Sequence, residues 1–328
     1  MKVLLLGATG LLGHNVLRAL IREGHDVHVL VRKHSVLTIG DNYKIKTFLG
    51  SFIDEKDLIK AACGCQAIIN CAGATDMSML NVPEFLPANR DGVDVICRVM
   101  DKLGITTLVH TSTANTIGYG SPNHLATEKD LWESPFKESY YAQSKREGET
   151  VVEKYVHEHP DWHCIVINPG FMLGPYDFKP SSGQLLNAAY RRPIMVAPNG
   201  GKSFICVEDV AQAIVNALTK GQHGQRYLLT GANLSLRDFY SLQASVCNYS
   251  QRIISLPNWI LAIGGRIGDV LRFFRIRTQL STRNVRQLMV KEYYDNSKAV
   301  QELQLHQTPV AQAIKSYFDP TWRECHKV

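Results

Sequence analysis

The chain has 328 residues, 45% hydrophobic and 20% charged, enough to bury a substantial core as one large domain or two smaller ones. Its 36 Lys and Arg against 30 Asp and Glu give a net charge of +6 without long basic runs. That balance marks no nucleic-acid footprint and asks for no more than an anionic substrate or cofactor. Eight scattered cysteines include one Cys63-Gly-Cys65 pair and no Cys-x-x-Cys, so they read as reduced, mostly buried thiols of a cytoplasmic protein. The amino terminus enters a core strand directly, without a basic stretch and a cleavable apolar segment, which speaks against secretion.

An apolar strand, Val3 to Leu6, runs into Gly7-Ala-Thr-Gly10-Leu-Leu-Gly13. The first glycine permits a tight strand-to-helix turn, the second lets backbone approach a pyrophosphate, and the third lets helix and strand pack closely. Leu12, Val16, Leu17, Leu20 and Ile21 then fall on one helical face. Strands at 27–31, 44–49, 67–71, 107–111 and 164–167 follow, with helical patterns at 55–62, 84–103 and 140–157. This alternation predicts βαβ crossovers and a Rossmann-type, doubly wound parallel sheet of the α/β class. Pro169, Gly170, Gly174, Pro175 and Pro180 break the regularity, 204–218 into 226–230 reads as a last return to the sheet, and 235–287 reads as a mainly helical cap. The expected division is 1–168 with 202–231 as the dinucleotide-binding domain, and 169–201 with 232–328 as a smaller substrate-binding region.

Within that cap, 257–274 is the one candidate membrane segment, but Arg266, Asp269 and Arg272 interrupt it well short of about 20 apolar residues. It is expected to pack over the active site instead. Specificity is expected from the loop 171–182 and the segment 256–279, whose Trp259, Leu261, Ile263, Phe273 and Phe274 suit an apolar pocket wall and equally the core packing of the cap. Thr308 and Pro309 read as N-cap and first residue of the final helix.

Three groups of residues carry chemistry. The second strand ends in Val31-Arg32-Lys33-His34 with no carboxylate, and a guanidinium there suits the 2′-phosphate of NADP, with NAD as the alternative. Tyr141 and Lys145 stand four apart on a helix, so an ammonium can sit beside the phenol and lower its pKa for acid–base work. Tyr294 and Lys298 repeat the spacing, down to a serine before the lysine, and are read as structural because they lie far from the sheet half. The strand end His110-Thr111-Ser112-Thr113 offers hydroxyls to a carbonyl oxygen that gains charge. His157, His159 and His163 suggest a metal, but with Glu158 and Asp161 around them they read as a solvated helix end, and no metal site is expected.

In order, Gly7 to Gly13, Gly50-Ser-Phe-Ile-Asp54, Ile69-Asn-Cys-Ala-Gly73, Asn89-Arg-Asp-Gly92, Thr111-Ser-Thr113, Tyr141-x-x-x-Lys145, Asn168-Pro-Gly170 with Gly174-Pro175, and Phe204-Ile-Cys-Val-Glu-Asp209 resemble the extended short-chain dehydrogenase/reductase family nearly end to end. Val31-Arg32, Asn233-Leu-Ser-Leu236 and Tyr293-Tyr-Asp-Asn-Ser-Lys298 resemble its dihydroflavonol-reductase-like branch. The resemblance implies catalysis by Tyr141, Lys145 and Thr113, and substrate contacts from Ser112, Tyr141 and Phe171. It implies cofactor contacts from Gly7, Thr9, Gly10, Leu11, Leu12, Gly13, Arg32, Asp54, Cys71, Ala72, Gly73, Lys145, Pro169 and Gly170. Ser51, Asn168 and Lys202 depart from the pattern, standing where relatives often have Asp, Arg and Arg; the last two weaken a nucleotide-sugar reading. The expected activity is NADP(H)-dependent interconversion of a carbonyl and an alcohol. An NAD(P)-dependent sugar or nucleotide-sugar epimerase or dehydratase is the alternative, a cofactor-sensing regulator a more distant one, and a homodimer is left open.

Overall fold

The structure is a computed structural model that describes residues 1–33, 35, 37 and 45–324. His34, Lys44 at the start of the expected third strand, and Cys325 lie outside the described residues. The first half builds β1 (Lys2–Leu6), α1 (Leu11–Arg22), β2 (Asp26–Val31), β3 (Ile45–Leu49), α2 (Glu55–Ala62), β4 (Ala67–Asn70), α3 (Gly92–Leu103), β5 (Thr107–Thr111), α4 (Tyr140–Glu158) and β6 (His163–Pro169). There follow β7 (Phe171–Leu173), α5 (Gly183–Ala189), β8 (Ile194–Pro198), β9 (Gly201–Cys206), α6 (Val207–Asn216), β10 (Arg226–Leu229), β11 (Ala232–Ser235), α7 (Leu236–Val246), β12 (Arg252–Leu256), α8 (Asn258–Phe273), α9 (Thr282–Gln287), β13 (Lys291–Glu292), α10 (Ser297–Leu303) and α11 (Val310–Phe318).

Seven parallel strands form the main sheet in the order β10-β6-β5-β4-β1-β2-β3. The order reverses between β1 and β4, and ligands of such sheets bind at the carboxyl ends of the strands flanking that reversal. Gly7 and Cys71, which follow β1 and β4, lie there. Alternation along β1 serves both layers: Val3 and Leu5 pack with Val16, Leu17 and Leu20 of α1 and Val210 and Ile214 of α6. Leu4 and Leu6 pack on the other side with Leu58 of α2 and Ile96, Val99 and Met100 of α3. Each such side chain contributes about 1.5–3 kcal/mol on burial, so the ends of β1 and β4 are held by a continuous core on both faces.

The expected helix over 84–103 is less regular than its apolar period suggests. A short turn at Val82–Glu84 and a π-helical turn at Pro87–Asp91 precede α3. The expected return 204–218 into 226–230 also divides. Its helix α6 packs against α1 and its β10 joins the main sheet, but β9 pairs with β7, β11 and β13 in a second, four-stranded sheet. Its core, with Leu173, Phe204, Phe239, Ile314 and Tyr317, is separate from the two flanking the main sheet.

Thr308 does not cap α11, contrary to expectation, and a short helix at Thr321–Glu324 follows α11. The Thr308 backbone N–H and hydroxyl both bond the buried Asp209 carboxylate, at 2.7 and 2.9 Å, so α11 starts one turn position later, at Val310 with Pro309 before it. His159 stacks on Trp162 with centroids 4.0 Å apart, and the His163 ring bonds the Ala217 carbonyl at 2.8 Å. The seven described cysteines are free, four of them buried. No helix among the described residues is long and apolar enough to cross a membrane.

Candidate active site

The turn from β1 to α1 is shaped by contacts that exclude side chains. Gly7 has φ +84°, and a Cβ there would stand 2.6 Å from the Cys71 carbonyl carbon, while one on Gly13 would stand 2.0 Å from the Gly7 carbonyl oxygen. At Gly10 the only near atom is that same oxygen, at 3.6 Å, so the backbone there is open. Gly10 caps α1 without a side chain, and no acidic residue sits in the first turn of this 12-residue helix. The N–H groups of Leu11, Leu12 and Gly13 therefore lack intrahelical acceptors at the positive end of the helix, with Thr9 beside them. That arrangement suits a pyrophosphate.

Beyond β2, Arg32 is exposed; its carbonyl accepts from the Ser35 N–H at 2.8 Å, and its side chain makes no hydrogen bond or ion pair with a described residue. The Asp54 carboxylate accepts from the Lys56 and Asp57 N–H groups at 2.9 and 3.1 Å and so caps α2. This accounts for the side chain as part of the scaffold. After β4, the Ala72 N–H bonds Asn70 Oδ1 at 3.0 Å, and a Cβ on Gly73 would stand 3.6 Å from Lys145 Nζ. Asn89, in the π-helical turn, fixes this loop to α4: it exchanges bonds of 2.8 and 3.0 Å with the Ala74 backbone and donates to Ser144 Oγ at 2.8 Å. A Cβ on Gly148 would lie 2.1 Å from the Asn89 carbonyl, which explains a glycine inside α4.

Helix α4 begins at Tyr140, capped by the Ser139 side chain, and so presents Tyr141 and Lys145 one turn apart. Lys145 Nζ donates to the Thr111 carbonyl at 2.6 Å. Burial brings its ammonium down to about 8, against the opposing pull of Glu149 and Cys71. The half-buried Tyr141 hydrogen-bonds the Thr113 side chain, yet burial pushes its phenol up to about 12. The expected lowering of Tyr141 by Lys145 is thus absent from the resting site, because the ammonium faces Thr111 and Gly73. Ser112 Oγ is buried with no partner among the described residues, while its N–H bonds the Ile167 carbonyl at 2.7 Å.

A buried network holds the turn that carries Thr113. Asn168 Nδ2 donates to the Thr113 carbonyl at 2.9 Å and to Glu149 Oε1 at 2.8 Å. Glu149, itself 1% exposed, also accepts from Arg146 and Arg226 at 2.9 and 2.6 Å. Next to it, Pro169 ends β6, the Gly170 N–H bonds the Leu229 carbonyl at 3.0 Å, and Phe171 meets Phe204 edge-on at 5.4 Å. Lys202 lies 5.6 Å over the Phe171 ring and is paired with Glu292, both largely buried.

In front of Tyr141 is a small cavity of about 10 Å³, lined by Met77, Met79 and Phe85 together with Arg272, Ser281 and Asn284. The Arg272 guanidinium closes it by donating to the carbonyls of Met79 and, at 2.8 Å, Thr278; Asn284 Nδ2 reaches the Met77 carbonyl at 3.2 Å. The expected aromatic wall is not there. Trp259, Ile263, Phe273 and Phe274 are exposed, because α8 turns its glycines toward the protein.

The sequence alone does not mark the loop at Met77 and Met79, Asn284 or the pocket role of Arg272, which in the sequence is only a break in an apolar run. Asn89 lies in a family-like stretch that assigns it no role, and Asn168 reads only as a departure from the pattern. Tyr294 and Lys298 lie elsewhere: Tyr294 is buried with Ala114, Ile117, Ala126 and Leu228, and Lys298 Nζ bonds the Arg226 carbonyl at 2.9 Å.

A dinucleotide-type sheet with a glycine turn at its switch point, and a tyrosine, a lysine and hydroxyls gathered at the same strand ends, defines an NAD(P)-dependent oxidoreductase fold. The chain belongs to the NAD dependent epimerase/dehydratase family, whose profile matches residues 3–230, and is an enzyme of the extended short-chain dehydrogenase/reductase type. It is 28% identical over 316 residues to a Synechocystis sp. protein provisionally assigned as a dihydroflavonol 4-reductase, covering 94% of this chain and 91% of that one. It is 26% identical over 321 residues to the sterol demethylase protein B of Methylococcus capsulatus, covering 96% of each. Among solved structures, gox2253 superposes with a TM-score of 0.83 at 24% identity, over 99% of this chain and 98% of that one, a likeness of fold.

Proposed function

We propose that the protein is an NADP(H)-dependent reductase that interconverts a carbonyl and an alcohol on a largely apolar substrate. The observation that carries this reading is Tyr141, beside the Thr113 hydroxyl, lining a cavity with Met77, Met79 and Phe85 on its apolar part and Arg272, Ser281 and Asn284 on its polar part. The open amides of Leu11, Leu12 and Gly13 and the room at Gly10 fit a dinucleotide pyrophosphate, Cys71, Ala72 and Gly73 border the same crevice, and Pro169 and Gly170 stand at the carboxyl end of β6 in the same sheet. Lys145 beside Gly73 fits a ribose hydroxyl, and the exposed Arg32 guanidinium favours a 2′-phosphate. When bound, such a cofactor supplies or receives the hydride.

The chain's residues do the rest. Tyr141 donates its phenolic proton to the carbonyl oxygen as that oxygen gains charge. Thr113, with the otherwise unpartnered Ser112 hydroxyl, steadies the same oxygen. Lys145 offsets the negative charge left on Tyr141, and Phe171 borders the substrate side. The Lys202–Glu292 pair favours reduction over nucleotide-sugar epimerisation, since a cation already neutralised in a buried pair offers little to a diphosphate. The relatives' names, a dihydroflavonol reductase and a sterol demethylase component, fit apolar ring substrates.

The test is NADPH oxidation with a panel of aromatic, aliphatic and steroid-like carbonyl compounds, run beside nucleotide sugars. Substrate-dependent, stoichiometric loss of NADPH is expected, and Arg32→Asp is expected to narrow the preference for NADPH over NADH about tenfold or more. Isomerisation of a nucleotide sugar without net NADPH loss would overturn the reading.

A further inference from the structure

Helix α8 covers only one of its two apolar faces. On the inner side an added Cβ would stand 2.7 Å from Val285 at Gly265 and 2.1 Å from the Leu280 carbonyl oxygen at Gly268, so the helix lies tight against residues 280–285. On the opposite side Trp259, Ile263, Ile267, Val270 and Phe274 recur at intervals of three and four residues, and all are exposed, Trp259 by 65% and Phe274 by 68%. Phe273, at their edge, is 83% exposed. A continuous stripe of this kind is beyond the scattered apolar residues of an ordinary surface and marks a contact.

Charge identifies the occupant. Residues 251–291 contain eight Arg or Lys and a single acidic residue before Glu292, Asp269, a net +7 in a chain whose total is +6. Of these, Arg277 and Arg286 are paired with Glu84 and Glu138 outside the segment and Arg272 bonds backbone carbonyls, so the cations left facing outward are few and lie beside the stripe. Asp269 accepts from the Thr282 N–H at 3.1 Å, whereas Arg252, Arg266 and Arg275 are exposed and in no ion pair with a described residue. A second copy docking by twofold symmetry would set these cations against one another. An anionic lipid surface complements both the apolar stripe and its basic rim. Since no described helix can span a bilayer, the contact is lateral, with Trp259, Phe273 and Phe274 at headgroup depth.

We propose that α8 docks the protein, lying in the plane of the interface, on the surface of an anionic phospholipid bilayer. Arg272, on the reverse of the same helix, holds the Met79 carbonyl at the pocket, so the docked face and the closed pocket share one rigid element. The proposal stands whatever carbonyl the enzyme reduces.

The test is co-sedimentation of the full chain with sucrose-loaded vesicles of phosphatidylcholine alone and of equal parts phosphatidylglycerol and phosphatidylcholine. The protein is expected to sediment with the anionic vesicles, to be released as salt is raised, and to ignore the neutral ones. Phe273→Ser with Phe274→Ser is expected to weaken partitioning about tenfold or more, and Arg266→Glu with Arg275→Glu to abolish the preference for phosphatidylglycerol. These positions are exposed, and an unchanged thermal midpoint shows that each variant folds. Absence of binding to anionic vesicles at low salt, or undiminished binding by the phenylalanine variant, would overturn the proposal. So would a dimer that the phenylalanine variant turns into monomer with no vesicle binding by either, which would make the stripe an interface between copies.

Discussion

Two stretches of this chain carry the same interval, Tyr141 to Lys145 and Tyr294 to Lys298, each with serine just before the lysine, and the fold treats them in opposite ways. The first pair lies wholly inside α4, so four residues make one turn and the two side chains share a face. In the second, α10 starts only at Ser297, so Tyr294 leaves along another path. Its hydroxyl meets the Ala114 carbonyl at 3.4 Å, while Lys298 turns to Gln225 and the Arg226 carbonyl at 2.8 and 2.9 Å. Burial raises both phenols, so burial does not separate them. What does is the partner: a hydroxyl facing a pocket at Tyr141, a backbone carbonyl in closed packing at Tyr294. A spacing becomes chemistry only when one helix carries it and a cavity lies in front of it.

The sharpest way to break that comparison is to remove the first phenol. Tyr141→Phe is expected to lower kcat by about 10²–10⁴-fold, the range for a positioned proton donor, with cofactor affinity within about twofold because the phenol acts on substrate. Steady-state kinetics beside a cofactor titration measures both. A variant retaining a tenth of the rate would remove Tyr141 from the proton path.

The lysine gives the comparison a pH axis. Burial holds Lys145 down to about 8 and Tyr141 up to about 12. As pH rises through about 8 the ammonium is lost first, and with it the charge that offsets a developing tyrosinate, so the reduction rate is expected to fall. Tyr141 stays protonated throughout that interval and cannot cause the fall. Stability moves the other way: with its folded pKa below the ordinary 10.5, Lys145 binds a proton more readily unfolded than folded between about 8 and that value, so its contribution to stability improves as pH rises there. Lys145→Arg, charged at every accessible pH, is expected to erase the kinetic break. A break that persists in that variant would assign it to another group.

How much of this was readable beforehand differs between scaffold and pocket. The sheet was legible because strands with helices between them admit few arrangements, and Gly7 and Gly13 stand where a side chain would collide with backbone. The pocket was not, because an apolar stripe at helical spacing reads alike whether it faces a cavity or solvent. Trp259, Ile263, Phe273 and Phe274 were expected at the pocket and are exposed; only Gly265 and Gly268, whose contacts require the third dimension, fix which way α8 turns. Asn168 shows the same limit. Its departure from the family pattern was visible, but not that it would hold the Thr113 carbonyl and Glu149 together.

That network supports the active tyrosine's partner and gives a prediction of intermediate size. Asn168→Ala removes one donor each from the Thr113 carbonyl and Glu149, which both keep the Thr116 hydroxyl, at about 0.5–1.5 kcal/mol per bond, and loosens the turn that aims the Thr113 hydroxyl. A fall in kcat of about tenfold is expected, since small misplacements of a positioned group cost that much or more, with KM nearly constant and the pH break of Lys145 unmoved. Loss of stability with kcat intact would make Asn168 structural alone.

The smallest effect belongs to the second tyrosine. Tyr294 is buried among Ala114, Ile117, Ala126 and Leu228 and bonds the carbonyl of Ala114, the residue after Thr113, so it is near the site without lining the cavity. Its hydroxyl bond to Ala114, at 3.4 Å, is long, and such a bond is worth at most about 0.5–1.5 kcal/mol. The ring, not the hydroxyl, fills the core, and phenylalanine keeps the ring. Tyr294→Phe is therefore expected to lower the thermal midpoint by no more than about 2–4 °C and to leave kcat, KM and the pH profile unchanged. Paired with Tyr141→Phe, it is the internal control: the same atom deleted from the same residue type at the same spacing. If the two variants lost activity to a similar degree, the difference between an open and a closed neighbourhood would not be what makes Tyr141 an acid.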